Sequence, residues 1–354
     1  SKLIAIVSIL GAILIGVGAI LFVASNWQDI PKFFKLALLF GATFGLYFAG
    51  WKLQFDNATH PKIGHALIFL GSIFVGVTIF LTAQIFNINA NAHWLMLLWF
   101  LAVAPLSYGF HSKPTLVLLQ LLFAGWMAAF LEGGNEFFSM FEGFVEGYGI
   151  FLFYGLTLYG IGYLHQKTKF SDFKTTYQGF GLFFAFTLLY ILIVSEFEAI
   201  EQINIHWMFW LFLATSFLAT LSSVAFLIKE KGIKHEFVLN LLIFLSAVGA
   251  WLLSRTYENI PYDLEGTLLG IFIAYNIVFF GITILTVLSG YYQGVPAFIN
   301  LGLLFFVLYV GYLYFTTIFA YLPRSLALIL GGVILLGGGW YLEKKRRSII
   351  AEIT

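Results

Sequence analysis

Polar positions are scarce in this chain, and they come in clusters. Between the clusters run twelve apolar stretches of 18–24 residues, at 2–24, 34–52, 63–86, 91–109, 114–131, 145–164, 174–195, 206–228, 237–254, 267–289, 295–317 and 323–342. Each interruption carries polar or turn residues, such as "SNWQDIPK", "FDNATHPK", "GFHSKP", "HQKTKFSD" and "IKEKGIKHE". A bilayer core of ~30 Å is crossed by about 20 apolar residues in helix, and a helix satisfies its own backbone where no water can. Membrane strands would instead alternate apolar and polar residues over about ten positions, and these runs do not. The pattern predicts an all-α, polytopic transmembrane bundle of about twelve spans, with the first run read as a span because it lacks a cleavage-site pattern.

Composition supports a membrane assignment. The chain is 61% hydrophobic and 10% charged, with a mean hydropathy of +0.95, whereas soluble domains carry charge on about a quarter of their residues. Cysteine is absent, which excludes disulfides, thiol catalysis and cysteine-ligated metal clusters. Threading the twelve spans from a cytoplasmic N-terminus puts 14 of the 18 Lys and Arg residues on the inner side, leaving Lys32, Lys35, Arg255 and Arg324 outside. Lys and Arg in short loops mark the cytoplasmic face, so both termini are expected there. Eleven of the 17 acidic residues fall outside. That rim is either simply soluble loop or a vestibule that attracts cations.

The text also echoes itself. "GAILIGVGAILFV" at 11–23 lies over "GSIFVGVTIFLTA" at 71–83, with Gly11, Gly16, Gly71 and Gly76 offering close helix approach. Asn91-Ala92-His93-Trp94 pairs with Asn204-Ile205-His206-Trp207, and "IPKFFKLAL" with "LPRSLAL". Either six two-helix hairpins descend from one another, or a low-complexity Phe/Leu/Gly text repeats by chance.

Three local motifs carry a family resemblance: Asn26-Trp27 with Pro31, Ala83-Gln84-Ile85-Phe86, and Pro105-Leu106 with Ser112. With them the chain resembles the bacterial predicted integral membrane proteins of domain of unknown function family 2157. The likeness is specific over roughly the first 130 residues and returns at "INLGLLF" and "EKKRR". It implies a bacterial inner (cytoplasmic) membrane, a polar segment ahead of the first span, and no particular chemistry. On this basis 1–131 is an N-terminal five-helix region and 132–354 the remaining seven helices of one membrane domain.

Candidate chemistry is thin. No ionisable residue falls at mid-span; Gln120, Asn240, Asn276 and Asn300 are the strongest polar groups within spans, and Asn276 is nearest the midplane. The outer lip is richer, and Asn26, Trp27, Gln28, Gln84, Asn87, Glu132, Glu136 and Asn276 are the candidate substrate-binding set. Asn91 and Asn204 are expected to cap inward-running helices, with Trp94 and Trp207 at the interface. His93 and His206 would then lie at the water boundary as pH-sensing candidates. Neither has a metal-ligating partner at helical spacing, and no phosphate-binding loop, zinc-protease or serine-hydrolase motif is present. No catalytic residue, metal, cofactor or nucleic-acid partner is expected. The leading expectation is a transporter-like protein that moves or binds a small polar or amphiphilic, even lipid-linked, substrate at an acidic outer lip. A non-transporting scaffold for another membrane protein is the alternative; a membrane-embedded transferase using Glu132, Glu136 and His206 is the third. Because the chain lacks cysteine, single cysteines placed at Asn135 or Ile200 should react with a membrane-impermeant maleimide on intact spheroplasts, while one at Lys231 should react only after lysis. Protection at 135 and 200 would overturn the orientation.

Overall fold

The computed structural model describes residues 31–56, 60–88, 90–132, 148–194, 207–227, 234–256, 265–318 and 324–353, together with scattered residues between 7 and 21. Contacts divide the chain into two units, Ser1–Phe144 and Val145–Thr354. Unit 1 holds α1 (Lys32–Trp51), α2 (Pro61–Ile85), α3 (Ala92–Gly109) and α4 (Lys113–Glu132), and the described residues between Val7 and Leu21 are helical too. Unit 2 holds α5 (Tyr148–His165), α6 (Lys174–Val194), α7 (Trp207–Leu227), α8 (Lys234–Thr256), α9 (Glu265–Gln293), α10 (Pro296–Leu313) and α11 (Arg324–Ile353). No strand occurs among the described residues.

Each expected span from 34 onward is helical over its described residues, and this is a multi-pass membrane protein. Among the described residues, eight helices are long and apolar enough to cross a bilayer, and two shorter apolar ones, Gly149–His165 and Trp207–Ser222, lie where spans were expected. The surface is inverted relative to a soluble fold: Phe33, Phe44 and Leu336 are 78%, 69% and 78% exposed. Lipid is the solvent for such side chains.

Helix ends follow local chemistry. Pro61 and Pro296 each stand in a first turn, where a missing N–H has no intrahelical role. Asn91 occupies the N-cap of α3 but makes no side-chain capping bond; its carbonyl accepts from the Trp94 N–H at 3.0 Å instead. Asn204 lies outside the described residues. The α11 helix runs well past the expected end at 342 because its cationic tail is internally paired. Arg346 and Arg347 each reach Glu343 at 2.7 Å, and these bonds hold the Glu343 carboxyl down to about 2.

Among helices consecutive in the chain, the most closely packed pairs are α1 with α2, α3 with α4, α5 with α6, and α9 with α10. They are the pairs joined on the lysine-rich side, so they sit one helix out of phase with the outward–inward hairpins read from the repeats. Short connections such as 110–112 and 294–295 force antiparallel neighbours.

Glycine sets how near the backbones come. A Cβ on Gly64 would lie 2.7 Å from the Gly50 carbonyl oxygen, and one on Gly155 would lie 2.8 Å from that of Gly181. Gly71 faces the Tyr47 ring and Gly76 the Trp99 ring, whereas Gly11 has open space around it. The repeated glycines are thus contact points in the second copy and not at position 11, and Gly16 lies outside the described residues. Overpacking of this kind destabilises by about 1–3 kcal/mol. Gly155→Ala should lower stability in a detergent-unfolding assay by that order, while Gly41→Ala, with nothing within 4 Å, should not.

Candidate functional site

Among the described residues a groove in unit 1 and buried polar groups in unit 2 stand out. In unit 1 the helices α1 and α3 flank α2 and leave a groove of ≈ 690 Å³ along its exposed side. Val75, Thr78, Ile79 and Thr82 form the floor, Phe40, Phe44 and Tyr47 one wall, and Trp94, Leu95 and Leu98 the other. Phe110 closes the end near Tyr47, where the two rings stack at 5.6 Å. The opposite end is bordered by Ala83, Ile88 and Ala90.

The groove keeps its shape because hydrogen bonds tie its walls to its floor. Thr43 gives its proton to the Leu39 carbonyl at 2.8 Å, so the Thr78 hydroxyl donates to Thr43 at 2.9 Å. One turn on, Ser72 donates to the Ile68 carbonyl and accepts from the Tyr47 hydroxyl at 2.9 Å. Further along the same seam Gln54 meets His65 at 3.0 Å. From the other wall the Trp99 indole donates to the Ser72 carbonyl at 2.8 Å. The Thr82 hydroxyl is buried with no partner, leaving one polar atom beside an otherwise apolar channel.

The sequence candidates distribute around this frame as follows. Gln84 and Asn87 are exposed in the turn that ends α2, between the lining residues Ala83 and Ile88. Asn87 adopts a left-handed φ of 50°, and its N–H reaches the Gln84 carbonyl at 3.2 Å. Trp94 and Trp207 point outward, 56% and 57% exposed, as interfacial residues should. His93 is instead only 8% exposed, set between Trp94 and the edge-on Phe130 ring at 5.5 Å. The first turn of α3 faces α4 rather than water, which explains its burial. Asn26, Trp27, Gln28, Glu136 and His206 lie outside the described residues, as does the side chain of Glu132.

In unit 2 Asn276 is buried: its Nδ2 donates within α9 to the Phe272 carbonyl at 2.7 Å, and its Oδ1 accepts across to α10 from the Tyr309 hydroxyl at 3.0 Å. It also borders a cavity of ≈ 440 Å³ with Phe272, Tyr309 and Leu313. Asn300 is exposed and accepts from Arg346 at 2.8 Å, tying α10 to α11.

A second polar place went unread in the sequence. Glu236 stands in the first turn of α8, only 3% exposed, and accepts a short hydrogen bond from the Tyr163 hydroxyl. Tyr159 packs on Tyr163 with ring centroids 5.4 Å apart, and its hydroxyl lies beside Gln293 and Glu236 without completing a well-formed bond. Asn240, one turn along α8, is 3% exposed with Oδ1 unpartnered. The sequence places Glu236 in "KEKGIKHEF", which reads as a solvated loop. The available signal was Glu236 and Asn240 four apart, sharing a helical face.

Residues 1–116 match the family model described as "Predicted membrane protein (DUF2157)". No curated protein matches the chain, and no solved structure does. Every residue lining the unit 1 groove falls inside the matched stretch, and the Glu236 cluster falls outside it. In a double-mutant cycle, Thr43→Val and Thr78→Val should couple by about 0.6 kcal/mol, the average for an interhelical hydrogen bond in lipid. Strict additivity in a bicelle unfolding assay would show that this seam does not fix the groove.

Proposed function

We propose that this is a transporter-like protein of the bacterial inner membrane that binds an amphiphile, with the acyl chain lying in the unit 1 groove and the head group at the electronegative outer rim. The observation that carries the reading is the groove itself: ≈ 690 Å³ and almost wholly apolar, its far end stopped by stacked aromatic rings. That volume is in the range of small-molecule sites. An acyl chain gains little by leaving the bilayer for an equally apolar groove. Selectivity must therefore come from shape and from polar contacts where chain meets head group. Gln84 and Asn87 stand exposed at that end. In this reading Asn26, Trp27, Gln28, Glu132 and Glu136 are further head-group contacts, and Asn276 serves the smaller cavity of unit 2.

The test is retention of lipid. The full chain, purified in mild detergent, should carry a stoichiometric amphiphile detectable by mass spectrometry of the extract. Filling the groove with Ile79→Trp or Leu98→Trp should lower retention about tenfold or more, the effect of losing ~1.4 kcal/mol. Leu121→Trp, at an exposed position on α4 outside the lining, should not. Equal retention in all three variants would refute the assignment.

A further inference from the structure

We propose that Glu236 is a proton-binding group, taking up and releasing one proton inside unit 2 between the hydroxyl of Tyr163 and the side-chain carbonyl of Asn240. The inference stands on unit 2 alone and does not depend on the groove. An ionisable side chain inside a membrane bundle is rare and marks a proton or ion path by default. A carboxylate as enclosed as this one is strongly disfavoured unless charge or hydrogen bonds compensate it.

The surroundings supply one partner for each charge state. Tyr163 gives its proton to Oε2 of Glu236, a bond that favours the carboxylate. Asn240 Oδ1 is a buried acceptor that lacks a donor, and it sits one turn along the same helix, where side chains four apart come within reach. A protonated Glu236 has one O–H to give, and Asn240 lacks one. The carboxyl proton is the donor on Asn240's own helix; the Tyr159 hydroxyl and Gln293 Nε2 are buried donors from α5 and α9. Buried polar atoms without partners are uncommon in native structures and call for an explanation.

We place the exchange route on the same side. The Tyr159 hydroxyl is near enough to Glu236, Tyr163 and Gln293 to interact with each, and Gln293, at the end of α9, is partly exposed. Protons can pass from that edge to the carboxyl without crossing the apolar middle of unit 2. Ionisable groups described at this end include Lys174 of α6, whose Nζ lies 5.6 Å from the centre of the Tyr163 ring, and His235 of α8, stacked on Tyr292 of α9, with His165, Lys167, Lys169 and Asp172 in and beside the α5–α6 connection. The α7 helix, which packs on α5 and α8, presents no ionisable side chain.

Infrared difference spectra of the full chain in liposomes, recorded across pH in H₂O and D₂O, test this. A protonated-carboxyl band should rise as pH falls, shift in D₂O, and vanish in Glu236→Gln. Two variants that keep the carboxyl guard against misfolding of that one. Removing the donor with Tyr163→Phe should raise the pH at which the band gives way by about one unit, and removing the acceptor with Asn240→Ala should lower it by about as much. Opposite shifts establish the two-partner site. Shifts of the same sign, no shift in either variant, or a band unchanged in Glu236→Gln would each overturn it.

Discussion

In lipid, the solvent competes for every contact that an apolar side chain can make, so burying Phe and Leu between helices adds little that the membrane does not already offer. What can hold this bundle together is what hydrocarbon chains cannot imitate: backbone meeting backbone, and a hydroxyl meeting a carbonyl. Both recur throughout. Gly50 lies against Gly64 and Gly155 against Gly181, each a place where two helices touch without side chains between them. Around these points single hydroxyl bonds fix rotation. Thr157 meets Thr215 across α5 and α7, Tyr275 reaches the Ser246 carbonyl across α8 and α9, and Tyr190 and Tyr312 bond backbone carbonyls between α6 and α10.

The same constraint explains where the polar chemistry sits. A hydroxyl that bonds across a helix interface is satisfied and silent, as Tyr47 and Tyr309 are. Other buried polar atoms lack such a bond. Thr82 beside the groove is among them, as are Asn240 and Tyr159 near Glu236.

The architecture was legible because hydropathy acts over twenty residues at a time, and such a signal survives any local detail. Span positions, the all-helical class and the outward tryptophans followed from it. Contacts that depend on which face a residue occupies were less legible. Asn91 stands at a helix start yet leaves its side chain out of the cap, and His93 turns inward because α3 opens against α4. Glu236 was hidden by its company: flanked by Lys231, Lys234 and His235, it reads as loop, and only the start of α8 at Lys234 carries it under the surface. The groove had no sequence signature, since Thr78 and Thr82 differ from their apolar neighbours by one hydroxyl each.

The α11 helix has 30 residues, which is about 45 Å of rod against a hydrocarbon slab of ~30 Å. Ties to the segment before it include Gly331 against the Tyr314 ring and Arg346 to Asn300. Between them Val333, Leu336 and Trp340 face outward, 62%, 78% and 67% exposed. The apolar part of the rod, about twenty residues up to 342, matches that slab. The excess length is therefore the paired cationic tail, a helical extension standing beyond the hydrocarbon and held to α10 by Arg346 on Asn300.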